Sequence, residues 1–192
     1  MGRIVYMDKL RGFFKVTPVF RARDVEVLTG SRGYAHLILH KLSEKGEVKR
    51  VVKGWYSLFD DPVVAVFCFK PAYIGLQEAL SLHNLWDQET SVVIVSTRRI
   101  RTGIRKIFDS NVIVHRISGK YFFGFEYLKY GEFFIPVSDV EKTLIDLVYF
   151  NEIPSREVLD EMRGKIDKRK LNIYLRRFEP KLRQHVLKLI RR

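Results

Sequence analysis

The stretch Phe20–Leu58, FRARDVEVLTGSRGYAHLILHKLSEKGEVKRVVKGWYSL, sets two helical patterns ahead of two strand patterns. Ala22, Val25 and Leu28 share one face of a helix expected over residues 21–28. Thr29-Gly30 stops it, because glycine enters the left-handed turn after a helix at least steric cost. Ser31 carries the side chain of an N-cap and opens a second helix. There Ala35, Ile38, Leu39 and Leu42 recur at i, i+3, i+4 and i+7 as a buried stripe, and Gly46 ends the run. The opposite face carries Arg32, His36, His40 and Lys41, with Tyr34 and Leu37 at its margin. Residues 47–52 and 55–58 are β-rich and flank Lys53-Gly54, a two-residue turn with glycine where a positive φ is needed. Helix, turn, helix and hairpin, in that order, predict a winged helix-turn-helix.

Such a unit lays the N-terminal residues of its second helix against base edges while the hairpin touches phosphate. Arg32 and His36 are the base-facing candidates, since an arginine pairs bidentately with guanine. Tyr34, His40 and Lys41 border them, and Lys41, Lys49, Arg50 and Lys53 suit phosphate neutralisation. Winged helices also mediate protein contacts, so a protein- or RNA-interaction module using a basic surface is the alternative. His36 and His40, four apart on one face, have metal-ligand spacing, but no further ligand completes a set with them; no metal and no cofactor is expected.

Charge distribution points the same way. Of the net +13, residues 1–60 hold 12 basic and 6 acidic side chains (net +6), residues 61–150 hold 10 and 10 (net 0), and residues 151–192 hold 13 and 6 (net +7). Basic ends around a neutral middle suit a nucleic-acid binder. The 14 Phe and 9 Tyr in 192 residues support real cores. No apolar run reaches membrane-spanning length, and Asp8, Lys9 and Arg11 interrupt the start of the chain, so the expected compartment is the cytoplasm. Cys68, alone in an apolar run, reads as a core residue. Few Asn and Gln among many Lys, Arg and Glu hint at a heat-adapted source.

The expected organisation is α+β: a winged domain over 1–60, a mixed α/β domain over 61–150, and a basic helical tail over 151–192 packed on the second domain. A helix over 3–14 turns Met7, Leu10 and Phe14 inward. Asp61-Pro62 marks a boundary; the run after it, 63–69, has strand composition but a helix-start signature, and helix is favoured. Leu76, Ala79, Leu80 and His83 mark a helix over 75–86, and strands are expected over 91–96, 111–117, 121–127 and 132–137. Arg98, Arg99, Arg101, Arg105 and Lys106 lie in a segment read as a solvated loop, with a secondary basic surface as the alternative. Ser138 followed by Glu141 reads as a capping box, with Val140, Leu144, Leu147 and Val148 as the apolar stripe and Lys142 and Asp146 on the polar side. Three helices are expected after Asn151, over 155–163, 168–178 and from Pro180 to the end.

No catalytic constellation assembles. HExxH, GxSxG, phosphate-loop and paired-cysteine motifs are absent. A nuclease-like set of Asp109, Glu126 and Lys129 fails because the last two stand three apart, not two as one strand face requires.

The helix-turn-helix and hairpin ending in Gly54-Trp55-Tyr56, YIGLQEALSLHNL at 73–85, VVIVSTRR at 92–99 and IPVSDVEKTLIDLVYF at 135–150 together resemble the AbiEi-type antitoxins of type IV toxin-antitoxin systems. With the helical tail, the likeness spans most of the chain through the order and spacing of these segments. The resemblance implies a transcriptional repressor that binds double-stranded DNA at its own promoter. It also implies a second domain that neutralises or regulates a nucleotidyltransferase-type toxin, and it favours a helix over 63–69. A pseudo-palindromic operator would call for a homodimer or paired monomers, and no stretch reads as a dimer seam.

Overall fold

The computed structural model describes residues 12–13, 17–88 and 90–191, and the chain is a mixed α+β fold. The helix expected over 3–14 lies outside the described residues except for Gly12 and Phe13. The N-terminal unit runs β1 (Phe20–Arg21), α1 (Ala22–Thr29), α2 (Arg32–Glu44), β2 (Lys49–Val52) and β3 (Trp55–Ser57). Its strands form an antiparallel sheet in the order β1-β3-β2, with Phe20 opposite Tyr56. Phe20, Val25, Ala35, Ile38, Leu39, Leu42 and Val48 fill the space between helices and sheet.

A 3-10 helix, Pro62–Phe69, follows; the Asp61 carboxylate accepts from the Val63 amide at 2.9 Å and proline occupies the first turn. Residues 63–69 are apolar all round and buried all round, which is why neither amphipathic period appears in them. Six strands then make one mixed sheet: β4 (Ala72–Ile74), β5 (Val92–Ser96), β6 (Gly103–Ile107), β7 (Ser110–Arg116), β8 (Phe125–Tyr130) and β9 (Phe133–Ser138), in the order β6-β7-β5-β4-β9-β8. β5 runs parallel to β7 and β4 to β9; the other neighbours are antiparallel. The helices are α3 (Leu76–Leu82), α4 (Val140–Tyr149), α5 (Arg156–Lys165), α6 (Lys168–Leu175) and α7 (Pro180–Arg191). Among the described residues none is long and apolar enough to cross a membrane.

The sheet separates two cores. On one face Ile74, Ile94, Val112, Val114, Ile135 and Val137 meet the 3-10 helix together with Val19 and Val51, so the hairpin and the sheet share one apolar cluster. On the other face Tyr73, Val93 and Val95 meet α3, α4 and the tail side chains Leu159, Met162, Leu171, Leu175 and Val186.

Two departures from the sequence reading have local causes. The segment read as a basic loop contains β6, an edge strand pairing Gly103 with Val114 and Ile107 with Ser110. Ile104 and Lys106 share its exposed side while Arg105 stands beside buried Ile107 on the other, so it lacks the apolar alternation of a half-buried strand. The strand expected over 121–127 begins only at Phe125. Gly119–Tyr121 forms a 3-10 turn, and Tyr121, Phe122 and Phe123 pack into the tail-side core instead of entering the ladder.

Candidate nucleic-acid interface

The exposed face of α2 is a consequence of its buried one. Gly30 ends α1 at φ 69° with its N–H donating to the Glu26 carbonyl at 2.8 Å. Ser31 is extended and its hydroxyl accepts from the Tyr34 amide at 3.4 Å, starting α2 at once. Ala35, Ile38, Leu39 and Leu42 point into the core. With 3.6 residues per turn, Arg32, His36, His40 and Lys41 are then exposed, and so is Leu37. Arg32 and His36 stand one turn apart and line a shallow concavity with Arg23, Glu26 and Val27 of α1. Arg23 is a cation of this surface that the α2 periodicity alone does not reveal.

The remaining candidates divide by their partners. Tyr34 is half-buried, its ring packed against the N-terminal core. His40 Nδ1 lies 3.3 Å from the Glu44 carboxylate, one turn further along α2. Lys49 faces the second unit: its ammonium pairs with Asp60 and sits 5.9 Å from the Phe108 ring. Arg50 and Lys53 are exposed, Lys53 beside Gly54, whose φ of 81° closes the turn. Arg21 stacks its guanidinium 3.9 Å over Trp55 and braces the hairpin from below.

The middle basic cluster is partly tied down. Arg98 donates to the Cys68 carbonyl at 2.9 Å, and Arg105 donates to the Arg101 carbonyl at 2.7 Å while lying 5.4 Å from the Phe69 ring. Arg99, Arg101 and Lys106 remain exposed. Burial pushes the Cys68 thiol up to about 12, against the opposing pull of the nearby Arg21 and Arg98, so it is inert.

A second polar cluster overturns part of the sequence reading. Lys142 and Asp146 of α4 do not lie on a polar side: both are 0 % exposed, as is Tyr73. Lys142 pairs with Asp146 and reaches the Tyr73 hydroxyl at 2.9 Å; that hydroxyl donates to Asp146 at 2.7 Å. Burial lowers the Lys142 pKa and raises those of Asp146 and Tyr73, with the Lys142–Asp146 attraction working against it on both ion-pair members. The expected capping box is replaced too. Asp139 caps α4, accepting from the Lys142 amide at 2.8 Å, while the Ser138 hydroxyl bonds Thr143. Glu141 is freed to accept from the Asp167 amide at 2.8 Å and to pair with Lys170 at 2.9 Å, and Tyr174 donates to Asp139 at 2.8 Å. These carboxylates therefore fasten α6 to α4. The physical reason is coverage: tail helices lie over what would be a solvated face in an isolated helix. Closed to solvent, the Tyr73–Lys142–Asp146 group offers a substrate no access.

No family model and no curated protein sequence matches the chain. In structure it is similar to the RV2827C protein from Mycobacterium tuberculosis, with a TM-score of 0.64 over 97% of this chain and 76% of that one, at 12% identity. At that identity the likeness is one of fold.

Proposed function

We propose that residues 20–58 are a winged helix-turn-helix and that the protein is a sequence-specific DNA-binding transcriptional regulator. The observation that carries this reading is the face of α2, where Arg32, His36, His40 and Lys41 stand exposed in the same unit as a hairpin turn with exposed Lys53 at its tip. Arg32 and His36, nearest the helix N-terminus, read base edges; Arg50 and Lys53 neutralise phosphates. Lys49, held by Asp60, positions the hairpin instead. Arg99, Arg101 and Lys106, all exposed, supply further positive charge. The fuller reading, an autorepressing antitoxin that also acts on a nucleotidyltransferase-type toxin, rests on the sequence resemblance alone.

Fluorescence anisotropy on DNA from upstream of the gene and on a scrambled duplex, at low and near-physiological salt, tests the reading. A preference of about a thousandfold or more at the higher salt is the expected result. Equal affinities that vanish together with salt would reduce the basic surfaces to a generic polyelectrolyte.

A further inference from the structure

The tail carries a groove that the DNA reading does not use. It runs between α5 and α7, measures about 680 Å³, and is lined by Arg156, Leu159, Arg163, His185, Lys188 and Leu189. Two leucines make its floor and four basic side chains its walls; none of the lining residues is acidic. Arg163 is built in, its guanidinium bound to Asp160 and donating to the Leu189 carbonyl at 2.6 Å, which ties α5 to α7. Arg156, His185 and Lys188 are exposed and make no ion pair among the described residues. The twelve residues of α7, PKLRQHVLKLIR, include no carboxylate. On its other flank lies a second groove of the same kind, with Leu171, Leu187 and Ile190 between Lys168 and Arg191. Lys170 elsewhere in the tail meets Asp139 and Glu141, whereas Arg156 and Lys188 beside this aliphatic floor have no ion-pair partner among the described residues.

We propose that the α5–α7 groove docks an acidic amphipathic helix of a partner protein. A leucine floor takes aliphatic side chains at i, i+3, i+4 and i+7, and the basic rims take carboxylates on the flanks of that stripe. The occupant is a protein and not a nucleic acid because no Phe, Tyr or Trp ring lines the groove to stack a base, and a phosphate backbone makes no use of a leucine floor. α7 spans roughly 18 Å, enough for about three turns of a third helix laid along it. The groove belongs to the tail side of the sheet, the hairpin to the opposite side, so docking here leaves the α2 face uncovered. The inference therefore stands or falls independently of DNA binding.

The test uses the full chain and a fluorescent, side-chain-stapled peptide of about 14 residues, with leucines on that stripe and glutamates elsewhere. Companions are the same peptide with serines for leucines and a single-stranded oligonucleotide of equal charge. Binding of the leucine peptide at near-physiological salt is expected, weakened about tenfold or more by Arg156→Glu with Lys188→Glu, two exposed sites. Serine replacement should cost as much, whereas Arg99→Glu with Arg101→Glu, outside the groove, should leave binding unchanged. If the double reversal lowers the melting temperature, Arg156→Gln and Lys188→Gln are read singly. Absence of peptide binding, equal binding of the serine peptide, tighter binding of the oligonucleotide, or equal losses from the two reversals would overturn the proposal.

Discussion

Helices α2 and α4 are both amphipathic by sequence, and they put their polar side chains to opposite use. In α2 the face opposite Ala35, Ile38, Leu39 and Leu42 meets solvent and presents Arg32, His36, His40 and Lys41. In α4 Glu141, Lys142, Thr143 and Asp146 are buried along with Leu144, Ile145 and Leu147. The helical period assigns residues to faces in both; it does not say what covers each face. Coverage comes from elements distant in sequence: α6 and α7 over α4 and, among the described residues, none over the exposed side of α2. A polar side chain left bare can recognise something, whereas one that is covered must be satisfied internally, as the bonds to Tyr73, Lys170, Tyr174 and Asp167 satisfy those of α4.

The comparison breaks most sharply at Asp146. Asp146→Ala leaves a buried ammonium unpaired and should cost about 3–5 kcal/mol in chemical denaturation. Glu44→Ala, which removes the exposed partner of His40 in α2, should cost less than about 0.5 kcal/mol. Replacing the whole group, Tyr73→Phe with Lys142→Met and Asp146→Leu, should recover most of the Asp146→Ala loss, because no buried polar atom is then abandoned. A triple variant as unstable as the single one would mean that the group's shape matters more than its charge.

Next in size is Gly124→Ala. A Cβ there would stand 2.9 Å from both Lys142 Cβ and Tyr174 Cε2, at a φ of +69° that disfavours any side chain. The expected cost is about 1–3 kcal/mol from overpacking alone, and an unchanged melting temperature would mean that α6 yields easily. On α2, Arg32→Ala should leave the melting temperature alone and lower discrimination at one or two base positions by about 1–3 kcal/mol. Equal losses on specific and random DNA would remove Arg32 from base reading.

Tyr174→Phe removes the hydroxyl bonded to Asp139 and should cost about 1 kcal/mol at neutral pH. Burial and that hydrogen bond push Tyr174 up to about 12 from its ordinary 10.0. A group whose folded pKa is raised contributes stability that is whole below the unfolded pKa and is lost as pH climbs to the folded one. The deficit of Tyr174→Phe relative to the parent should therefore shrink between pH 10.0 and about 12, which denaturation curves across that window would reveal. Smallest of all, Lys53→Ala should weaken every DNA sequence alike and reduce the salt slope by about one, with no change in stability.

How much was legible depends on the range of the interactions that decide each element. Gly30, Ser31 and Gly54 act within a few residues of themselves, so the turn, the start of α2 and the tip of the hairpin follow from the chain locally. Ser138 and Glu141 fit a local capping rule equally well, yet Asp139 took the cap because Glu141 was claimed by Asp167 and Lys170 of the tail. β6 was hidden for the same kind of reason: its pairing with β7 supplies the order that its own charged composition does not suggest.

The α+β class, the helix pair and hairpin of residues 20–58, and the side chains of α2 that share the face opposite the core all follow from the order of residues in the chain. These rest on backbone periods and on turn residues whose conformational preferences need no distant partner. Packing between distant elements turns Lys49 to Asp60, seals Lys142 and Asp146 against Tyr73, and leaves a basic groove between α5 and α7. Burial is a property of a pair of surfaces, and the second surface lies tens of residues away in the chain.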